Sequence, residues 1–306
     1  MLLVTQTLAS RAMAQGAPSR TRSNASAVRV ATPASIRDVG CESPASTSAA
    51  APTLAWRGTD VRWAEWRVVL GARRIAATMV VVEIDPSRVR LALDIVREGD
   101  ALGAWSIANA PADAAVAFNA GQFTDEGPWG WVVHRGREWQ APGRGPLAAA
   151  VVVDSAGAVR IVGAADTDGV RAKGGVIEAL QSYPLILDNG RLPRALCDTT
   201  RVDETHRDIR FVLGTRDDGT VLLVLSRYGG AGGVAGRLPI GPTTREMADI
   251  VRRLGADRAL MLDGGLSAQL LVRDNEGTHE WNGLRRVPLA MVGVPVAKLA
   301  PRPGPR

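Results

Sequence analysis

Apolar residues along this chain recur mainly with a period of two, or in short unbroken runs bounded by turn residues. The first pattern marks a strand buried on one face, the second a strand covered on both. Residues 77–84 (ATMVVVEI), 89–95 (VRLALDI), 114–118, 147–153, 159–162, 185–187, 211–214, 221–226, 259–262, 269–272 and 289–296 all read as strands. Asp188-Asn189-Gly190 and Asp217-Asp218-Gly219 supply hairpin chemistry, because Asn and Gly accept the positive φ of tight turns. One helix is explicit at 244–254. Thr243 can cap it, Glu246 can reach back to close the cap, and Met247, Ile250, Val251 and Leu254 fall on one side before Gly255. A second helix is predicted at 104–109, stopped by Pro111. Many strands with few helices predict an α+β fold: a large, mostly antiparallel sheet with a few packed helices, in a single domain over residues 53–297.

The ends read differently. Of the 38 residues at 15–52, 23 are Ala, Ser, Thr or Pro, too little apolar surface to offset chain entropy, so a disordered linker is expected. Ahead of it, Ala12-Met13-Ala14 before Gln15 fits a signal-peptidase site, so 1–14 reads as the remnant of an export signal. The protein is expected to be exported, periplasmic or extracellular. No apolar run reaches the ~20 residues of a membrane-spanning helix, so no transmembrane anchor is expected. Residues 298–306 form a predicted disordered tail.

Composition (46% hydrophobic, 22% charged) is that of a globular protein. The formal charge of +6 would suggest a nucleic-acid partner, but residues 1–52 and the last nine residues carry +3 each, leaving a neutral body. No nucleic acid is therefore expected. Lys173 and Lys298 are the only lysines, so an anion site here would use an arginine fork. Cys41 and Cys197 are too few for a thiolate metal site, and with Cys41 in the linker no disulfide framework is expected.

Several chemistries lack their residues. His134, His206 and His279 are far apart and form no HxH or HExxH pair, so no metal is expected. No Gly-x-Ser-x-Gly elbow is present. The glycine-rich 229–236 mimics a dinucleotide loop, but Pro239 and Pro242 follow where a helix should begin, and a loop over a site is the better reading. No cofactor is expected. Trp129 and Trp131, in a Gly/Pro-rich stretch, either pack the core or offer a stacking face to a sugar. Asp263, ending the 259–262 strand before Gly264, Gly265 and Ser267, is either a turn residue or a placed carboxylate beside amides open to an anion. Arg210, opening the 211–214 strand, is either a structural ion-pair partner or an anion ligand. Asn119 and Gln122 sit at a third polar strand end.

Taken in order, these segments resemble the phosphodiester glycosidase family. Gly130-Trp131-Val132-Val133-His134-Arg135-Gly136 is similar to its G-(L/W)-V-x-x-G hairpin, and Pro184-Leu185-Ile186-Leu187-Asp188-Asn189-Gly190 to its Pro-Leu-x-x-x-Gly hairpin. Arg210-Phe211-Val212-Leu213-Gly214 resembles the R-T-A-x-G strand, and Gly241 to Ala248 the G-x-T-x-x-E-x-A helix start. Residues 254–267 match L-G-A-x-x-A-L-x-L-D-G-G-x-S throughout. The chain departs at Ala120 and Gln122, within an Asn-Gly-Gly-Phe-like strand end, and at Phe211, where the family has Thr.

The resemblance implies a hydrolase that cuts the bond between an anomeric carbon and a phosphodiester of the N-acetylglucosamine-1-phosphodiester kind. The products are free sugar and a phosphomonoester. It implies Arg210 and the amides of Gly264 and Gly265 on the phosphate, Asp263 as carboxylate, and Asn119 and Ser267 on sugar or phosphate oxygens, with Gln122 and His206 as weaker candidates; Trp131 is the candidate sugar contact by its indole face alone. Asp125, Glu126, Asp203 and Glu204 are candidates for a second carboxylate. The implied partner is a glycosyl phosphodiester or a phosphate-containing exopolysaccharide. The rivals are a non-catalytic cell-surface glycan-binding domain and a phosphodiesterase cutting P–O, which would call for metal ligands.

Overall fold

The computed structural model describes residues 34–36, 51–98, 101–102, 104–198, 205–228 and 240–299. The predicted export segment, the glycine-rich segment 229–236, and Cys41, Asp203 and Glu204 lie outside them, as does most of the predicted linker and tail. The described residues belong to one compact unit, Pro33–Arg306.

Strand-forming runs at these places build three larger sheets instead of the single large sheet expected. The first has seven strands in the order Ala34–Ile36, Val61–Leu70, Ile75–Ile84, Val221–Tyr228, Phe211–Thr215, Arg258–Met261 and Leu185–Leu187. The second orders Arg137–Gln140, Val132–His134, Val176–Ser182, Ala149–Asp154 and Val159–Gly163. The third orders Gly277–Trp281, Leu270–Asp274, Val116–Asn119, Ala290–Pro295 and Val89–Asp94. Periodicity shows which segments are strands but not which of them pair, and this is why three sheets read as one. Pairing is antiparallel in all three except at Ala34–Ile36. That strand lies inside the predicted disordered linker and runs parallel to Val61–Leu70, covering an edge that would otherwise leave its backbone groups unpaired.

The seven-stranded sheet is buried on both sides, so its central strands are almost continuously apolar. Phe211, Leu213, Leu223, Leu225, Val80 and Val82 face a core shared with the other two sheets. Val212, Leu222, Val224, Met79 and Val81 face the opposite way, onto the helix Thr244–Arg253. That helix starts as the sequence predicts: the Thr243 hydroxyl accepts from the Glu246 amide, and the Glu246 carboxylate accepts from the Thr243 amide. The predicted helix at 104–109 is only a 3-10 turn, Ile107–Asn109, because Trp105 bridges to Val287 in extended form immediately before it. A helix at Ala164–Lys173 was not signalled, since among its residues only Thr167 is buried and no apolar stripe marks it. Cys197 is disulfide-bonded, a single bridge that the expectation of no disulfide framework does not cover. A count of two cysteines excludes a framework but not a single bridge.

Candidate active site

Strand register brings together residues far apart in the chain. Val212 pairs with Met261, and the Leu262 amide donates to the Phe211 carbonyl at 2.9 Å. Continued two residues, the same antiparallel register sets Arg210 opposite Asp263, on the face that Val212 and Met261 present to the helix. Both line one cavity of about 380 Å³ at this end of the sheet. Tyr183 and Pro184 form one wall, His206, Asp208 and Arg210 another, and Asp263, Gly264 and Gly265 the turn beneath. Thr244 reaches it from the start of the helix.

Arg210 is held by neighbouring backbone. Its Nη2 donates to the His206 carbonyl at 2.7 Å and its Nε to the Pro242 carbonyl at 3.3 Å, while its amide donates to the buried Ser226 hydroxyl at 2.7 Å. A guanidinium fixed in this way meets an anion with little loss of side-chain freedom.

Asp263 is pushed above the usual carboxylate range, first by burial and further by the negative Asp208. The Ser267 hydroxyl, the Arg285 guanidinium and the Gly264 amide act in the opposite direction. Arg285 itself lies over the Phe123 ring, 4.6 Å from its centroid.

The Asp-Gly-Gly turn needs both glycines. A Cβ on Gly264 would stand 2.5 Å from the Ile209 carbonyl oxygen, and Gly265 has φ +55°. Neither amide is open to a phosphate, however. The Gly265 amide donates to the Ile209 carbonyl at 2.8 Å, and the Gly264 amide donates to the Asp263 carboxylate. Gly264 and Gly265 therefore shape the cavity floor without serving as its anion donors.

Other expected residues stand behind the cavity. Asn119 is fully buried: its Nδ2 donates to the Asp263 carbonyl at 2.8 Å, and its Oδ1 accepts from the Gln269 amide at 2.9 Å. It holds the Asp263 backbone and does not line the cavity. Ser267 is buried and donates to Asp263. Gln122 lines the wall, but its amide group is spent on Tyr183: Oε1 accepts from the Tyr183 amide at 2.9 Å and Nε2 donates to the Tyr183 carbonyl. His206 lines the cavity with an exposed imidazole.

Trp131 is not a sugar contact. It is 1% exposed, packed among Val133, Ala150, Val152 and Ala179 on the outer face of the second sheet, with its indole N–H donating to Glu138 at 2.9 Å. Trp129 is half-buried against Gly143.

Asp208, Tyr183, Thr244 and Arg285 were not anticipated. Asp208 carried a usable signal, since it stands two residues before Arg210 with the buried Ile209 between them. In an extended segment that spacing puts both polar side chains on one face.

The sheet-rich, mostly antiparallel fold has a counterpart among known families. The profile of the phosphodiester glycosidase family matches residues 112–293, more than half of the chain, and the chain belongs to that family. Among solved structures, the catalytic domain of zebrafish N-acetylglucosamine-1-phosphodiester alpha-N-acetylglucosaminidase, auto-inhibited by its pro-peptide, is similar. The TM-score is 0.57 at 15% identity, covering 84% of this chain and 86% of that one. A hypothetical protein from Synechocystis is similar at a TM-score of 0.54 and 18% identity, covering 80% of this chain. This chain spans 64% of the length of that Synechocystis protein. At these identities the likeness concerns the fold. A comparison with curated protein sequences gave no match.

Proposed function

We propose that this protein hydrolyses the glycosidic bond of a sugar-1-phosphodiester of the N-acetylglucosamine-1-phosphodiester kind, releasing free sugar and a phosphomonoester. The observation that carries this reading is the convergence of Arg210 and Asp263 on a single cavity, in a chain of the phosphodiester glycosidase family.

The chemistry suits the groups present. The leaving group is a phosphate monoester, already stable as an anion, so its departure needs charge stabilisation more than a strong acid. Arg210 supplies that charge from a fixed position on the cavity wall. Burial shifts Asp263 toward its protonated form, which suits it to give a proton to the departing oxygen, and once ionised it faces the positive charge that develops on the sugar. Asn119 and Ser267 fix the backbone and the carboxylate of Asp263 from behind.

We place the protein outside the reducing cytoplasm. The disulfide at Cys197 supports this, because such bonds persist mainly in oxidising compartments. No helix among the described residues is long and apolar enough to cross a membrane.

The test is a panel of sugar-1-phosphodiesters incubated with the full chain, with released sugar and phosphomonoester measured together. The wild type is expected to release both in equal amounts. Arg210→Ala is expected to stay folded by circular dichroism and to lose about 10²–10³-fold in kcat. Unchanged turnover in Arg210→Ala would remove Arg210 from the site.

A further inference from the structure

We propose that Asp208 is the second catalytic carboxylate, the base that takes a proton from the water attacking the anomeric carbon. This rests on the glycosidase reading above and deepens it.

Asp208 lines the same cavity as Asp263 and comes from the same short segment as Arg210. One of its carboxylate oxygens is held by the adjacent backbone. Oδ1 accepts from the Ile209 amide at 2.7 Å. Oδ2 lies beside the Asp-Gly-Gly turn, 3.0 Å from where a Cβ on Gly265 would stand. A side chain at residue 265 would have to displace this carboxylate, and the φ of +55° there disfavours one in any case. The His206 Nε2 lies 3.6 Å from the same Oδ2, on the solvent side.

The two carboxylates differ as an acid and a base should. Burial raises the carboxyl of Asp263, and the charge on Asp208 pushes in the same direction. Asp208, with its side chain 23% exposed, keeps contact with solvent and with an imidazole that can carry a proton away. A carboxylate in contact with both the cavity and solvent is placed to take a proton from an entering water and pass it on.

The reaction balances with these groups alone. The oxygen of one water molecule bonds to the anomeric carbon as the bond from that carbon to the phosphate oxygen breaks, and the electron pair leaves with the phosphate. One water proton passes to Asp208, and the other stays on the new anomeric hydroxyl. Asp263 gives its proton to the phosphate. Asp208 then returns a proton to solvent by way of His206, and Asp263 takes one up. Since a phosphate leaves readily, activation of water is the heavier demand, and loss of the base should cost more than loss of the acid.

Asp208→Asn keeps an oxygen for the Ile209 amide, so the variant is expected to match the wild type in near-UV circular dichroism and thermal midpoint. On a sugar-1-phosphodiester that the wild type hydrolyses, its kcat should fall by about 10²–10⁴-fold with little change in KM. Sodium azide, a nucleophile with no proton to lose, should restore turnover in the variant and yield a glycosyl azide. An Asp208→Asn protein that turns over at the wild-type rate, or whose loss azide does not relieve, overturns the role of Asp208 while leaving the glycosidase reading in place. A wild type that releases no sugar from any phosphodiester in the panel overturns both.

Discussion

Asp263 is costly to the fold. Its carboxyl is raised, chiefly by burial, so the folded chain binds its proton more tightly than the unfolded chain, where the ordinary value is 3.8. The charged form therefore destabilises the protein above the folded value. The penalty fades as pH falls through that value and is gone below 3.8. Asp263→Asn removes the charge while leaving an oxygen for the Ser267 hydroxyl. Its thermal midpoint is expected to lie above that of the wild type at neutral pH, with the gap closing toward pH 3.8, while kcat falls by less than in Asp208→Asn. Calorimetry across that range checks this, and a gap independent of pH would contradict it. A residue kept at a cost to stability is what a functional site predicts.

At the scale of elements, the segment 206–210 carries three of the groups on the cavity and is anchored by the helix beside it. Arg207 donates through both Nη atoms to the fully buried Glu246, at 2.6 and 2.8 Å, and Glu246 also caps its own helix. Glu246→Ala deprives a half-buried guanidinium of its carboxylate and the Thr243 amide of its acceptor. A loss of about 3–5 kcal/mol is expected from urea unfolding. Thr243→Ala, which removes one capping bond, should cost only about 1 kcal/mol.

The elements differed in how openly the sequence showed them. Strands covered on both faces, such as Ile75–Ile84 and Val221–Tyr228, stand out as apolar runs. Val61–Leu70 is interrupted by the exposed Arg62, Glu65 and Arg67. Val176–Ser182 carries the buried polar residues Glu178, Gln181 and Ser182, which suit a strand only because His134, the Trp131 and Gly143 amides, and Gln122 satisfy them. Such partners come from other elements, and no local pattern announces them.

At the scale of the whole molecule, strand pairing decides what becomes a site. Arg210 and Asp263 each mark a strand end in the sequence, and the motif around Asp263 was the most specific in the chain. Their meeting depends on the register between Phe211–Thr215 and Arg258–Met261, which neither strand states alone. The same register turns the Gly264 and Gly265 amides inward onto protein acceptors, where local sequence suggested an open anion nest. The Gly/Pro-rich surroundings of Trp131 leave it between core packing and sugar stacking, and the neighbouring strand Val132–His134 decides for the first by carrying it into the packing of the second sheet.

The central claim is that this cavity breaks the bond between the anomeric carbon and oxygen of a glycosyl phosphodiester. Hydrolysis in ¹⁸O-labelled water, with both products read by mass spectrometry, tests it most directly. Label in the released sugar, and none in the phosphomonoester, is the predicted result. Label in the phosphate would place the cut between phosphorus and oxygen and contradict the account.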